Sequence, residues 1–332
     1  MHSHSFCLMD DTTEEKTGRS LPFNNLYLIS GLVHGTNRVW MYFFTITLVL
    51  FGYTGFQLVV FYPLRNILLA NGYTDMDIAR DVGLIFNSVA LKTDRNVVFL
   101  LELLMFVFAF IGFYTGLRFV HNKTLTSVFT GYERFRFRRF WFAFFLWGGM
   151  IALAITGDYL LNPGDYRLSF NAGGMVVSLL IMLVFMPVQT GCEELLFRGY
   201  FIQGLALVFR NGIIPLVLTS LLFALAHMTN PEVKEFGQPI MFSYYACFAL
   251  FMGGVTLLDE GLELAFGIHL ANNLVSSLFV SSPHSVIQTY SLFETPVEDP
   301  YTEIILWVIM AGLTFVIFWR KYKWNNFNLL IR

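Results

Sequence analysis

The chain alternates between long apolar runs and shorter polar segments. A helix needs about 20 apolar residues to cross a bilayer, and most of the runs approach this length. Eight such runs cover residues 40–64, 97–120, 140–161, 173–189, 213–227, 240–258, 264–280 and 303–319. The pattern therefore predicts an all-α fold, a polytopic transmembrane helix bundle of about eight spans.

Two of the predicted spans depart from the expected length. The stretch 173–210 is far longer than one crossing needs, and the run 213–227 is short. Pro187 and Gly191 predict a kink or a break inside the long stretch. The turn signal R-N-G at 210–212 predicts a helical hairpin between the two segments.

The composition agrees with a membrane protein and argues against other classes. The chain is 56% hydrophobic and 13% charged, whereas soluble domains carry roughly 25% charged residues. The net charge of −2 gives no basis for binding nucleic acid. The three cysteines, Cys7, Cys192 and Cys247, fit neither a zinc site nor a disulfide framework.

Positively charged residues divide the chain between the two faces of the membrane. The arginine cluster at 134–139, Arg210 and the segment 320–323 fall on one side, which the positive-inside rule makes cytoplasmic. Both the N-terminus and the C-terminus are then cytoplasmic. The expected organisation is a polar cytoplasmic tail at 1–39, a transmembrane domain at 40–320 and a cytoplasmic tail at 321–332.

The sequence G-C-E-E-L-L-F-R-G at residues 191–199 is the strongest candidate for chemistry. Ionisable groups inside a membrane are costly and mark functional sites by default. Glu194 and Arg198 are i, i+4 on a helix, so they share a face and can form an ion pair. Glu193 points about 100° away and has no cation of its own, which suits a general base. The alternative is a polar helix end at the membrane surface, with Glu193 solvated.

Phe223 and His227 form a second candidate pair, also at i, i+4. In a hairpin that turns at Asn211, Glu193 lies 18 residues before the turn and His227 lies 16 residues after it. At about 1.5 Å per residue, the depths of the two side chains differ by roughly 3 Å. We therefore expect Glu193 and His227 to meet and to deprotonate a water molecule, with Phe223 as a shelf under the His227 ring.

His269 and Asn273 form a third i, i+4 pair, on a helix whose depth the pattern leaves open. Their N–H groups would lie side by side, as in an oxyanion hole for a tetrahedral intermediate. Glu194 and Arg198 would then brace the helix that carries Glu193.

Three motifs, in order along the chain, resemble those of a known family. E-E-L-L-F-R at 193–198, F-A-L-A-H at 223–227 and H-L-A-N-N at 269–273 resemble the E-E-x-x-x-R, F-x-x-x-H and H-x-x-x-N motifs of the CAAX protease and bacteriocin-processing family (CPBP, or Abi). Its members are intramembrane endopeptidases of the type II CAAX prenyl protease class. The resemblance spans about residues 172–283, the expected protease-like core.

The resemblance implies a function and a role for each motif. Glu193 and His227 would activate water, and His269 with Asn273 would form the oxyanion hole, without a cofactor. We expect a glutamate-dependent intramembrane endopeptidase that hydrolyses a peptide bond of a membrane-embedded or membrane-associated protein or peptide. Its expected partners are this substrate and the lipid bilayer, not nucleic acid. Its expected location is a bacterial cytoplasmic membrane, with an endoplasmic-reticulum prenyl protease as the eukaryotic variant.

Other functions stay open from the residues alone. A zinc-dependent protease, the runner-up, would use His227, His269 and a glutamate as ligands. A cysteine protease would use Cys192, which adjoins Glu193. A non-proteolytic immunity or regulatory protein, or a transporter with a Glu–His proton relay, would use the buried charges without hydrolysis. Transporters often contain two similar halves, which this sequence does not show.

Overall fold

The computed structural model describes residues 24–282, 285, 287–295 and 299–327. Helices dominate this part of the chain, and each apolar run predicted from the sequence lies on a helix. The α-helices are α1 (Leu26–Val33), α2 (Val39–Ala70), α3 (Asp75–Arg80), α4 (Ser88–Leu91), α5 (Arg95–Thr115), α6 (Leu125–Phe129), α7 (Phe137–Leu161), α8 (Ala172–Glu193), α9 (Ile202–Phe209), α10 (Ile213–Ala226), α11 (Pro231–Phe236), α12 (Gln238–Asp259), α13 (Glu263–Phe279) and α14 (Pro300–Tyr322).

Other elements connect or continue these helices. The 3₁₀ turns are Val82–Phe86 and Pro163–Asp165, and the π-helical segments are Gly116–Val120 and Glu194–Phe201. Three two-residue strands, β1 (Arg167–Leu168), β2 (Val280–Ser281) and β3 (Phe293–Glu294), form a sheet in the order β1-β3-β2. In that sheet β1 pairs antiparallel to β3, and β2 pairs parallel to it.

Six helices in the described residues are long and apolar enough to cross a membrane. They are Val39–Ala70, Arg95–Val120, Phe137–Leu161, Ala172–Phe209, Gln238–Asp259 and Pro300–Tyr322. The other two predicted spans, α10 and α13, are 14 and 17 residues long, which is less than a full crossing needs. The eight predicted spans therefore correspond to six long helices and two shorter ones. The protein is a multi-pass integral membrane protein.

The short helix α13 lies in the interior of the bundle, along α7. Ala265, Ile268 and Ala271 of α13 are fully buried in a core cluster that includes Trp147 of α7. At Gly267 a Cβ atom would overlap the backbone of Phe140, so the glycine permits the close approach of the two helices. The packing explains why this helix carries ionisable side chains: they face protein rather than lipid.

The part of the predicted N-terminal tail that the structure describes packs against the bundle. Tyr27 and Leu28 of α1 are fully buried. The Tyr27 hydroxyl donates to the backbone carbonyls of Val128 and Arg198, at 2.7 and 3.2 Å. The predicted polar tail over residues 1–39 therefore does not describe α1. This apolar helix is too short to be recognised as a span, but it is long enough to bury one face. Residues 1–23, with Cys7, lie outside the described residues.

The arginine cluster at 134–139, which the sequence places on the cytoplasmic side, is partly internal. Arg136 forms a two-bond pair with Glu263, at 3.0 and 2.6 Å. Both Arg136 and Arg139 form ion pairs with Asp259 at the end of α12. Trp324, from the predicted C-terminal tail, also donates its indole N–H to Asp259 at 3.1 Å. This network joins α7, α12, α13 and the segment after α14 at one end of the bundle.

Candidate active site

The two glutamates lie where an α-helix becomes a π-helix. Helix α8 continues through Pro187 and Gly191, so the predicted break is absent there. The helix instead widens into the π-helical segment Glu194–Phe201 and returns to α geometry in α9. Proline is tolerated in membrane helices because neighbouring groups satisfy the freed backbone. π-Helical turns occur frequently at functional sites.

Glu194 forms the predicted ion pair with Arg198, and a further bond was not foreseen. Its Oε1 accepts from Arg198 Nη1 at 3.1 Å and from His269 Nδ1 at 2.7 Å. The Arg198 guanidinium lies 4.0 Å from the centroid of the Phe223 ring, a cation–π contact. Glu194 is 0% and Arg198 2% exposed. The pair thus joins the first, second and third motifs in a sealed cluster.

Glu193 has different partners from Glu194, as the helical angle predicted. Its Oε1 accepts from Gln189 Nε2 at 2.6 Å. Its Oε2 lies 3.6 Å from His269 Nε2. The His269 ring therefore lies between the two carboxylates, with Nδ1 on Glu194 and Nε2 towards Glu193. In the described residues no lysine or arginine side chain forms an ion pair with Glu193, in contrast to Glu194.

His227 follows the last residue of α10, and its tautomer is set by the backbone. Its Nδ1 lies 2.7 Å from the Phe223 carbonyl oxygen. A carbonyl can only accept, so Nδ1 carries the hydrogen and Nε2 presents a lone pair when the ring is neutral. The ring lies on Phe223, with centroids 4.1 Å apart, which is the predicted shelf. Tyr245 contacts the His227 ring at 4.8 Å.

The first and second motifs meet where the Arg198 guanidinium contacts the Phe223 ring. Among the described residues, Glu193 and His227 share no direct hydrogen bond.

Asn273 reaches the site through a residue that the sequence analysis missed. Its Nδ2 donates to Gln189 Oε1 at 3.1 Å, and Gln189 in turn donates to Glu193. Gln189 is 8% exposed. The signal that could have found Gln189 is its spacing, since it precedes Glu193 by four residues and so shares its helix face.

Cys192 lies outside this cluster. It is 4% exposed and packs in an apolar core with Tyr27, Leu195 and Tyr200. The nucleophile alternative therefore lacks the contact with a histidine that such chemistry needs. Within the described part of the chain, no three His, Cys, Asp or Glu side chains are arranged to hold a metal ion.

The fold and the site define a class of protein: a multi-pass membrane protein with two glutamates, an arginine and two histidines gathered inside its helix bundle. Comparison with known proteins then gives the family. Residues 173–275 match the family model described as type II CAAX prenyl endopeptidase Rce1-like. The match covers about a third of the chain, and it confirms the resemblance recognised from the three motifs.

A curated bacterial protein is similar over most of the chain. The uncharacterized protein YyaK of Bacillus subtilis (strain 168) is 24% identical over 287 residues, which are 85% of this chain and 93% of YyaK. No solved structure matches the chain. The expected location in a bacterial membrane fits this relative.

Proposed function

We propose that the protein is an intramembrane endopeptidase in which Glu193 and His227 activate a water molecule. The observation that carries the proposal is the unequal surroundings of the two adjacent glutamates. Glu194 is tied to Arg198 and His269, whereas Glu193 is held by a neutral amide and faces the ring edge of His269. One carboxylate is thus used for structure and the other is left for chemistry.

The proposed hydrolysis uses one water molecule between Glu193 and His227. Water between Glu193 and His227 Nε2 gives a proton to the carboxylate as its oxygen attacks the carbonyl carbon of the scissile bond. The carbonyl oxygen becomes an oxyanion in the tetrahedral intermediate. The proton then passes to the leaving nitrogen as the C–N bond breaks, so the products are a carboxylic acid, which keeps the second water hydrogen, and an amine. No step consumes a cofactor.

Asn273 and His269 are the proposed donors to the oxyanion. Asn273 uses one Nδ2 hydrogen for Gln189 and keeps the other for substrate. His269 has already committed its Nδ1–H to Glu194, so it donates from Nε2 only as the imidazolium.

The proposed substrate is a membrane-embedded or membrane-associated peptide or protein. The site lies on a spanning helix, so the scissile bond must enter the bundle from the bilayer or its surface. The family name refers to a prenyl endopeptidase. From this family name we carry over only the hydrolysis of a peptide bond. Whether the substrate is prenylated is an outcome of the test.

The test is cleavage of membrane peptides by the purified protein in liposomes. Prenylated and unprenylated forms of one quenched fluorescent peptide library would be compared. We expect wild-type protein to cleave and Glu193→Gln to lose cleavage while unfolding at the same temperature. Glu102→Gln, which replaces another carboxyl group inside a span, serves as the control and should retain activity. A fully active Glu193→Gln would exclude the proposed mechanism.

A further inference from the structure

Five side chains form one continuous hydrogen-bonded chain that ends at Glu193. Trp147 Nε1 donates to Asn272 Oδ1 at 3.2 Å, and Asn272 Nδ2 donates to Asn273 Oδ1 at 3.4 Å. Asn273 Nδ2 donates to Gln189 Oε1 at 3.1 Å, and Gln189 Nε2 donates to Glu193 Oε1 at 2.6 Å. The chain crosses three helices, from α7 through α13 to α8.

Chemistry at the two ends gives this chain a single direction. The indole N–H of Trp147 can only donate, and the ionised carboxylate of Glu193 can only accept. Each amide between them has one donor end and one acceptor end. If any one of the amides were rotated by 180°, both of its hydrogen bonds would be lost. One link would then join two donor groups, and the other would join two acceptor oxygens. Only one orientation of the three amides therefore makes all four bonds.

The side chains of this hydrogen-bonded chain are largely shielded from water, which makes the loss of any of its bonds costly. Trp147 is 0% and Gln189 8% exposed, and Asn272 and Asn273 are partly buried. Water has little access to replace a lost bond, and an unpaired polar group in such surroundings carries a large penalty. Hydrogen bonds in series also polarise and strengthen one another at low dielectric.

We propose that Trp147, Asn272 and Gln189 are positioning residues that hold the NH₂ group of Asn273 towards the reacting carbonyl. The proposal rests on the proposed endopeptidase function. An amide side chain on its own rotates between two nearly equivalent orientations, and the wrong one would turn Oδ1 of Asn273 against the oxyanion. The chain removes that orientation, so the free hydrogen on Nδ2 is always available.

The decisive variant is Asn272→Asp, which keeps the shape and reverses one link. Its carboxylate still accepts from Trp147 but cannot donate to Asn273 Oδ1, and it attracts the NH₂ group of Asn273 instead. We expect kcat to fall towards that of Asn273→Ala, roughly 10²-fold below wild type for one lost oxyanion donor. KM should change little, because the donor acts in the transition state.

Three further variants separate orientation from charge and from packing. Asn272→Leu and Gln189→Met remove links without adding charge, and they should lower kcat to a smaller extent. Trp147→Phe keeps an aromatic ring and removes only the N–H, so its loss should be the smallest. Asn96→Asp is the matched control: Asn96 donates to Gly174 O at 3.1 Å and accepts from Ser178 at 2.5 Å, and it should leave kcat unchanged.

A double-mutant cycle decides the proposal. If Asn272 acts through Asn273, adding Asn273→Ala to Asn272→Asp should lower kcat by less than threefold, although Asn273→Ala alone lowers it about 10²-fold. The proposal would be overturned if the effects of the two substitutions on kcat multiplied in the double mutant. A rise in KM at constant kcat would also overturn it. If Asn272→Asp does not fold, the same cycle with Asn272→Leu replaces it. An active Glu193→Gln removes the proposed function and this proposal with it, whereas an inactive Glu193→Gln with multiplying effects removes only the positioning role.

Discussion

His269 and Glu194 are joined by a hydrogen bond of 2.7 Å from Nδ1 to Oε1. The same carboxylate oxygen accepts from Arg198. The contact turns the imidazole so that Nε2 points towards Glu193. Glu194, which the sequence assigned only to bracing a helix, therefore also sets the orientation of His269, a proposed oxyanion donor.

Glu194→Gln should destabilise the protein. It leaves Arg198 buried without its counter-charge, and breaking a buried pair costs about 3–5 kcal/mol. Adding Arg198→Gln should recover part of this loss, whereas Glu193→Gln should cost little because it orphans no cation. Thermal unfolding in detergent, arranged as a double-mutant cycle, measures the coupling. Arg198 coupled to Glu193 instead of Glu194 would contradict the assignment.

His269→Ala should lower turnover with little effect on substrate affinity. The ring contacts both glutamates, and its Nε2 is a proposed donor to the oxyanion. We expect kcat to fall by roughly 10²-fold or more. KM should stay nearly constant in steady-state assays, because the interaction is made in the transition state. A variant that mainly raises KM would show that His269 binds substrate.

Cleavage should survive removal of divalent metals. In the proposed mechanism Glu193 with His227 suffices to activate water, and the amide of Asn273 is a poor zinc ligand. Dialysis against a chelator should leave the rate unchanged. Loss of activity followed by recovery with added zinc would favour the metalloprotease. Cys192→Ala should likewise stay active, since its thiol is packed in an apolar core.

Single cysteines at the two ends of α7 should label from opposite sides of the membrane. Arg138 is exposed near the predicted cytoplasmic end, and Gly164 beyond the other end has no heavy atom within 4 Å of its Cβ position. Gly164 is a better position than Thr295, because Thr295 is only 7% exposed and a cysteine there would label poorly. Arg138→Cys should react with an impermeant reagent only from the cytoplasmic face. Labelling of both positions from one face would exclude the proposed orientation.

Protein stability should rise with pH through a buried lysine outside the spans. Burial lowers the pKa of Lys123 from its ordinary 10.5 to about 8, and Nζ donates to the Gly31 carbonyl at 2.8 Å. Between pH 8 and 10.5 the unfolded chain binds this proton and the folded chain does not, so the free energy of unfolding increases with pH there.

Lys123→Met should flatten that dependence. Thermal unfolding of both proteins in detergent from pH 7 to 10.5 gives the comparison, because all other titrating groups are shared. Below pH 8 both states of the wild type bind the proton, so neither curve should slope on account of Lys123. If the stability of the two proteins changed with pH in the same way across the whole range, the lowered pKa of Lys123 would be contradicted.

Periodicity was sufficient for the parts of this fold that depend on a single helix. All the apolar runs lie on helices, and the i, i+4 relations of Glu194 with Arg198 and of Phe223 with His227 appear as contacts. These relations follow from helical geometry, whatever the rest of the bundle does. The matching domain at 173–275 contains all three motifs.

Contacts between helices could not be predicted in this way. The bond from Asn273 to Gln189 depends on how α13 is rotated against α8, and periodicity carries no information on that angle. The burial of Arg136 against Glu263 depends on the fold in the same way. Helix α1 was missed because it is only eight residues long, too short for the length criterion of a span.

The hydroxyl of Tyr27 and the indole of Trp147 come from outside the matched domain, yet one contacts the Arg198 carbonyl and the other begins the amide chain to Glu193. The family-model match at 173–275 is thus narrower than the set of residues that support the proposed site. Grafting residues 173–275 into another membrane scaffold would transfer every motif and leave behind the two supports. A segment that carries the proposed site together with both supports has to start before Tyr27.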